Sequence, residues 1–509
     1  MSFISTGAEW DLDLIARYER EIGKRAATYG LDTYPNQIEI ISSEQMIDAY
    51  AGAGLPVGYP HWSYGKEFIR NEQAYRKGYQ ALAYEIVINS NPCIAYLMEE
   101  NTMTMQALVI AHACFGHNSF FKGNYLFQQW TEPDAILDYL VFARRYVMAR
   151  EEQHGQAEVE AVLDACHALS RHGVDRFRRP QPLSAKNQRA RQDARRAYEQ
   201  QHFNDLWRTV PRREVTEATG AKGNVPVEPE ENLLYFIEKH SPKLEPWQRE
   251  LVRIVRKVAQ YFYPQVQTKL MNEGWATFWH HELINRLYDE RLVDDGFMLE
   301  FLQSHTNVIT QLPFDRGGLG ALNPYALGFA MFQDLKRTCT APTAEDRRWF
   351  PDVAGTDRRK TLDFAMRNFK DASFIGQYLS PKLIRDFRLF AIADYEEEND
   401  LVVDAIHDEP GYTRVRRLLS EQYARETYVP DIQVVRYESD GNRSLTLRHL
   451  QQRDRPLEMK DANEVMKHLA QLWGFPVRLE VVDVGGKMKT VLECAASLPS
   501  SERSRAAGF

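Results

Sequence analysis

Two segments of the sequence carry side chains that often bind a catalytic metal ion. The first segment places His112 and His117 in an apolar run. The second contains Asn272, Glu273 and His280 among aromatic residues. Two imidazoles and one carboxylate are a ligand set found in hydrolytic zinc sites. The sequence therefore offers the components of a metal site supplied by two helices.

The spacing of the first histidine pair is unusual for an α-helix. His117 follows His112 by five residues, and five residues of α-helix rotate about 140° beyond a full turn. The imidazoles can converge only if the helix contains a π-turn, or if it ends at Gly116 and the chain turns His117 back. Ala113 also stands where a His-Glu-x-x-His helix has its glutamate.

In the second segment, unlike the first, the spacing of the polar residues places them on one face of an undistorted α-helix. Glu273 and His280 are seven residues apart and share one face of a helix. A buried carboxylate needs a partner, which a metal ion or a histidine can provide, and Asn272 can orient it. The competing interpretation is that these histidines are hydrogen-bonded core residues. We expect His112, His117 and Glu273 to converge in one pocket, and their placement on separate surfaces would end the metal hypothesis.

The amino-acid composition limits the classes of protein to which the chain can belong. The chain has 509 residues, 44% of them hydrophobic and 26% charged, as in globular proteins. A net charge of −8 argues against general nucleic-acid binding, which needs a basic face. Five scattered cysteines without a C-x-x-C pair favour reduced thiols, and neither a signal peptide nor a membrane span is recognisable. We expect a cytoplasmic protein.

The pattern of apolar residues predicts a mainly α-helical fold. Residues 1–410 are predicted to form a large helical body that includes a short strand at residues 83–89. Arginines followed by a Pro/Gly-rich run predict an exposed excursion over residues 171–231. Two hairpin signals around a helix predict a small C-terminal α+β domain at residues 411–509, with a loose tail. Gly485-Gly486-Lys487 lacks the spacing of a P-loop, so no nucleotide cofactor is expected.

Several long segments, spread over nearly the whole chain, resemble one family. They are GLPV (54–57) with HWS (61–63), HACFGHNSFFKGNYLF (112–127), CHAL (166–169) with GVDR (173–176), RIVRKVAQYFYP (253–264), MNEGWATFWH (271–280), SHTNV (304–308) and NPYALGFAMFQDLK (323–336). The chain resembles the SpoVR family, the stage V sporulation protein R group that includes YcgB-like proteins of non-sporulating bacteria. The resemblance implies a link to spore cortex peptidoglycan or to stress physiology. It also implies a PrkA-type serine kinase and its companion protein as partners.

A more distant resemblance concerns the pocket. The Asn-Glu-Gly-aromatic-Ala segment at residues 272–276 looks like that of gluzincin aminopeptidases, where the glutamate is the third zinc ligand. This resemblance implies that His112, His117 and Glu273 bind Zn²⁺, with Fe²⁺ or Mn²⁺ also suited to such a set. It implies a gluzincin-like core for the helical body. Asn272 and His280 would orient the ligands.

The gluzincin resemblance departs from its family in two ways, the five-residue spacing and the missing general base. Glu85 or Tyr325 would have to accept the proton instead. Two hypotheses follow. One is a metal-dependent amide hydrolase, and the other is a non-catalytic partner or substrate of a PrkA-type kinase with a degenerate pocket. The metal content of the purified protein separates them, because a scaffold needs no stoichiometric ion.

Overall fold

The computed structural model describes residues 3–51, 58–76, 85–177, 229–311, 322–393, 402–424, 429–438, 441–451 and 456–495, together with residues 190, 194 and 197. Most of the predicted excursion at residues 171–231 and the predicted tail after residue 495 lie outside this description.

The described part of the chain is mainly α-helical, as predicted. Its α-helices are α1 (Leu12–Tyr29), α2 (Ser43–Ala51), α3 (Trp62–Arg76), α4 (Met103–Val109), α5 (Asn118–Gly123), α6 (Tyr125–Trp130), α7 (Ile136–His154), α8 (Gln156–Ala168), α9 (Leu233–His240), α10 (Pro246–Gln267), α11 (Lys269–Asp289), α12 (Asp295–Val308), α13 (Pro324–Thr340), α14 (Ala344–Trp349), α15 (Arg358–Asn368), α16 (Asp371–Tyr378), α17 (Pro381–Asp386), α18 (Glu409–Tyr423) and α19 (Met459–Trp473). A π-helix spans Ile110–His117, and a short 3₁₀ helix spans Ser170–His172.

The strands form three small sheets. They are β1 (Asn36–Ile41), β2 (Glu85–Ile88), β3 (Cys93–Met98), β4 (Ala391–Ala393), β5 (Val402–Ala405), β6 (Ile432–Tyr437), β7 (Leu445–Leu450), β8 (Val477–Val482) and β9 (Met488–Cys494). The sheet orders are β1-β3-β2, β4-β5 and β6-β7-β8-β9.

Contacts along the chain divide it into two compact units. The first comprises Met1–Tyr146 and Tyr261–Thr427, and the second comprises Val147–Gln260 and Tyr428–Phe509. The sequence did not indicate that residues from the middle of the chain would group with its C-terminal part. Independent folding of residues 411–509 stays a prediction.

Helix α11 lies in the middle of the first unit, packed closely on two sides. On one side Gly116 of the π-helix meets Ala276, and on the other Gly274 meets Gly328 of α13. Glycine allows these backbones to approach because it has no Cβ. The close packing brings the histidine-bearing π-helix and the glutamate-bearing α11 within side-chain reach of each other.

Strand β2 places Glu85 beside the same helices. The strand pairs antiparallel with β3, and Glu85 lies opposite Leu97. Because side chains alternate along a strand, Ile86 and Ile88 share one face and Glu85 occupies the other. Ile86 and Ile88 are buried in a separate apolar cluster. Their burial fixes the register of β2 and so the direction in which Glu85 points.

The second unit contains the hairpins predicted from the sequence. Strands β6 and β7 are antiparallel, as are β8 and β9, and β7 pairs parallel with β8. Helix α19 connects the two hairpins and ends at Gly474, which has φ 79°. Glycine adopts this left-handed conformation without the steric cost that a Cβ imposes. The predicted hairpin–helix–hairpin order is confirmed.

The start of α11 depends on a buried aspartate from α16. The carboxylate of Asp371 accepts hydrogen bonds from the backbone N–H groups of Leu270 and Met271, each at 2.9 Å. Replacing Asp371 by alanine should therefore lower the free energy of unfolding by roughly 1–3 kcal/mol, because two buried donors lose their acceptor. Urea unfolding followed by tryptophan fluorescence measures this loss. Asp352→Ala, at an exposed position, is the control, and equal losses in both variants would contradict the expected role of Asp371.

Candidate metal site

The π-helix brings His112 and His117 together in spite of their five-residue spacing. The backbone N–H of Asn118 bonds to the carbonyl of Ala113, five residues earlier, as the wider π-turn requires. As a result His112 and His117 lie on the same side of the helix, with ring centroids 4.6 Å apart and ring planes at 81°. Both side chains are buried. Of the two geometries that the sequence leaves open, the chain adopts the π-turn.

Two carboxylates face these imidazoles. An oxygen of Glu85 lies 3.2 Å from His112 Nε2 and 4.0 Å from His117 Nε2. An oxygen of Glu273 lies 3.8 Å and 3.5 Å from the same two nitrogens. The structure thus brings His112, His117 and Glu273 together and adds Glu85 to the cluster.

The spacing of the donor atoms suits a metal ion. Ligand atoms about 2.1 Å from one ion, at octahedral or tetrahedral angles, are roughly 3.0–3.4 Å apart. The four nitrogen–oxygen distances in the cluster are 3.2–4.0 Å, so a small contraction brings the donors to coordination distance. The donor atoms of Glu85, His112 and His117 lie within 4.8 Å of one another. The residues present therefore fit a divalent ion.

The local environment shifts the pKa values of Glu85 and Glu273 in opposite directions. Burial raises the pKa of Glu85, and the charge of Glu273 adds to this, although the two histidines oppose it. Burial also acts to raise the pKa of Glu273, but the imidazoles of His112 and His117, 3.8 Å and 3.5 Å away, outweigh it and hold that pKa well below its usual range. Glu273 is therefore the more firmly ionised of the pair.

Asn272 orients His117. The Nδ1 of His117 lies 2.9 Å from the side-chain oxygen of Asn272, so Nδ1–H donates this bond. The lone pair then remains on Nε2, the nitrogen that faces the carboxylates. Burial acts to lower the pKa of His117, but Glu273 and Glu85 raise it overall. An imidazole held in this way has the tautomer that metal binding requires.

A chain of histidines orients His112. Its Nδ1 lies 2.9 Å from Nδ1 of His280, and Nε2 of His280 lies 2.8 Å from Nδ1 of His305. Burial lowers the pKa of His280 far below its usual value and that of His305 to about 4. Each neutral ring has one donor and one acceptor nitrogen, so the chain can point its N–H groups away from the site or toward it. The first arrangement leaves the lone pair of His112 Nε2 free for a ligand.

The other residues predicted for the site lie around the cluster of His112, His117 and Glu273. His280 and Asn272 lie beside the two imidazoles, as expected. Tyr325, in the first turn of α13, has its ring 6.4 Å from that of His112, nearly parallel to it. Glu85, predicted as a candidate proton acceptor, lies beside the proposed ligands, with a carboxylate oxygen 3.2 Å from His112 Nε2. His305 was not predicted, although it belongs to one of the family-like segments.

The chain matches the family described as SpoVR like protein over residues 9–428. Residues 430–484 match the SpoVR-like C-terminal domain. A protein of Escherichia coli (strain K12), described as uncharacterized protein YcgB, is 56% identical over 491 residues, which cover 96% of each chain. No solved structure matches the chain.

Among the described residues, no helix is both long and apolar enough to cross a membrane. The five-residue histidine spacing on a π-helix differs from the His-Glu-x-x-His helix of gluzincins. Both family matches are to SpoVR, so they do not support the gluzincin resemblance, and the gluzincin-like core stays a prediction. The two matches and the high identity over almost the full length place this chain in the SpoVR family.

Proposed function

We propose that this SpoVR protein binds a divalent metal ion through His112, His117 and Glu273 and uses it to hydrolyse an amide bond. Zn²⁺ suits this ligand set, with Fe²⁺ or Mn²⁺ as alternatives. The observation that carries the proposal is the orientation of the imidazoles. Both direct Nε2 toward the carboxylates, while a hydrogen bond holds Nδ1 on the other side. Metal-binding histidines in proteins are held in this way.

Glu85 is the proposed proton acceptor. A bound divalent ion would lower the pKa of water and polarise a carbonyl group. The usual base is missing because Ala113 follows His112, but the Glu85 carboxylate lies against the same imidazole from strand β2. It can accept a proton from water and return it to the leaving nitrogen. Tyr325, in the first turn of α13, is the second candidate for proton transfer or substrate positioning.

The biological setting follows from the family resemblance. We propose a cytoplasmic role in spore cortex formation or, in organisms that do not form spores, in stress physiology, with a peptidoglycan precursor as one candidate substrate. The alternative is a non-catalytic partner or substrate of a PrkA-type serine kinase and its companion protein. No interaction with nucleic acid is expected, given the net charge of −8.

Metal content tests the proposal directly. The full-length protein, purified without an affinity metal column, should contain close to one equivalent of zinc, iron or manganese by elemental analysis. Reconstitution with each ion after chelation identifies the one that binds most tightly. Substoichiometric metal in the purified protein, with no uptake on reconstitution, would favour the non-catalytic alternative.

Asn272 offers a more specific test. Replacing it by leucine removes the acceptor for His117 Nδ1–H and should weaken metal binding by ~10–100-fold, since outer partners of metal-binding histidines contribute that much. Asn272→Asp keeps an acceptor oxygen and should retain tighter binding than Asn272→Leu. Competition with a chelator of known affinity measures both. Equal affinities in the two variants would show that the hydrogen bond to His117 is unimportant.

A further inference from the structure

A cavity lies on the opposite face of α11 from the candidate metal site. It is a cleft of about 730 Å³, a volume typical of small-molecule sites. Trp275, Phe278, Trp279, Glu282 and Arg286 of α11 contribute to its wall. Trp275, Phe278 or Trp279, Glu282 and Arg286 follow one another at intervals of three or four positions, so these residues share a helix face. Glu273 and His280 lie on the other face, which separates the cleft from the proposed metal ligands.

The cleft is basic although the chain as a whole is acidic. Its lining contains six cationic side chains and three acidic ones, whereas the chain has a net charge of −8. The six cations are Arg286, Lys336, Arg358, Arg359, Lys360 and Arg367.

Several of these cations already have partners. Lys336 pairs with Glu282, Arg367 with Asp363, and Arg286 with Glu290. Arg359 donates to the carbonyl groups of Thr28 and Tyr29 at the end of α1. These ion pairs and hydrogen bonds leave the four side chains less able to bind an anionic ligand.

Two cations in the first turn of α15 remain available. Arg358 and Lys360 are exposed, and within the described part of the chain their side chains make no hydrogen bond or ion pair. The excess positive charge is therefore concentrated at one edge of the cleft, where an anion could be bound.

The floor of the cleft is aromatic. Tyr29 is half-buried, and its ring packs against Trp279 with centroids 5.2 Å apart. The indole rings of Trp275 and Trp279 also line the cleft. The cleft thus combines an aromatic surface with a cationic edge.

We propose that this cleft binds a small phosphorylated ring compound, with its ring against Tyr29 and its phosphate at Arg358 and Lys360. Arginine and lysine both bind phosphate oxygens, and aromatic side chains bind the flat faces of nucleobases and sugars. A nucleotide and a sugar phosphate share this chemistry. The inference does not depend on the metal site, because no proposed metal ligand lines the cleft.

Titration calorimetry of the full-length protein tests the proposal. The probes are adenosine diphosphate, glucose 6-phosphate, adenosine and pyrophosphate. At least one phosphorylated ring compound should bind more tightly than adenosine or pyrophosphate, which each supply only one of the two features. Comparing the affinity for adenosine diphosphate with that for glucose 6-phosphate distinguishes a nucleotide ligand from a sugar phosphate. Failure of all four probes to bind at millimolar concentration would overturn the proposal.

Charge reversal locates the binding. Arg358→Glu combined with Lys360→Glu should weaken binding at least tenfold, because two charge-assisted contacts are lost. Arg20→Glu combined with Lys269→Glu makes the same change in net charge at exposed positions outside the cleft and should leave binding within about twofold. Equal losses in both double variants would mean that only net charge matters, which contradicts a built site.

A third variant distinguishes binding in the cleft from binding at the candidate metal site. His117→Ala alters the proposed metal site and should not change binding of the phosphorylated probe. Binding that disappears in His117→Ala but survives charge reversal at Arg358 and Lys360 would place the anion on the metal ion instead. Loss of metal without loss of phosphate binding would support both proposals independently.

Discussion

Replacing Glu273 by alanine is expected to remove most of the bound metal ion. Glu273 is the carboxylate of the three proposed ligands, and the two histidines hold its pKa well below its usual range. It therefore supplies the negative charge that offsets a divalent cation. Loss of a charged ligand should cost more than the ~10–100-fold expected for an outer hydrogen-bond partner. Elemental analysis of wild type and Glu273→Ala, purified in parallel, measures the effect.

Glu85→Gln is the matched variant for this test. The amide keeps the size of the side chain and removes its capacity to accept a proton. If Glu85 is the proton acceptor, Glu85→Gln retains most of the metal, whereas Glu273→Ala does not. Equal loss in both variants would make Glu85 a ligand and leave the proton-acceptor role to another group. Equal and substoichiometric metal in wild type and Glu273→Ala would contradict the metal site.

The convergence of the site could be anticipated from the sequence because polar residues are rare in apolar helical runs. His112, His117 and Glu273 each interrupt such a run, and polar groups enclosed among apolar residues require mutual partners. The five-residue spacing predicted either a π-turn or a helix end. Local sequence could not decide between them, because the choice depends on how Gly116 packs against Ala276, 160 residues later.

The positions of Glu85 and His305 could not be predicted in the same way. The strand containing Glu85 was recognisable, but the face that Glu85 occupies depends on burial of Ile86 and Ile88 in a long-range cluster. His305 meets His280 only through the packing of α12 on the helices around it. Residues 147–260 group with the C-terminal sheet for a similar reason, since no local pattern encodes contacts between distant segments.

Replacing Gly116 by alanine should both destabilise the protein and weaken metal binding. An added Cβ would lie 2.5 Å from the Cα of Ala276, which is closer than non-bonded carbon atoms can approach. The π-helix and α11 would have to separate, at a cost of about 1–3 kcal/mol or more. That separation would also move His112 and His117 away from Glu273. Urea unfolding and metal competition measure the two effects on the same protein.

Gly296→Ala is the control, because it is also a helical glycine of the first unit. Its added Cβ would meet only a side-chain oxygen of Asp294 at 3.4 Å, so alanine there should be neutral or stabilise by roughly 0.4–1 kcal/mol. The two substitutions are chemically identical, but only Gly116→Ala should destabilise the protein. If the Gly116→Ala variant is as stable as the Gly296→Ala variant, the π-helix and α11 do not approach each other as closely as described.

A second substitution tests which atom causes the clash at Gly116. The nearest contact is the backbone Cα of Ala276, with its Cβ slightly farther, at 2.8 Å. Trimming Ala276 to glycine removes the Cβ but leaves the Cα in place. Gly116→Ala combined with Ala276→Gly should therefore remain destabilised and weak in metal binding. Full recovery in the double variant would mean that side-chain crowding, rather than backbone contact, sets the distance between the helices and so the geometry of the site.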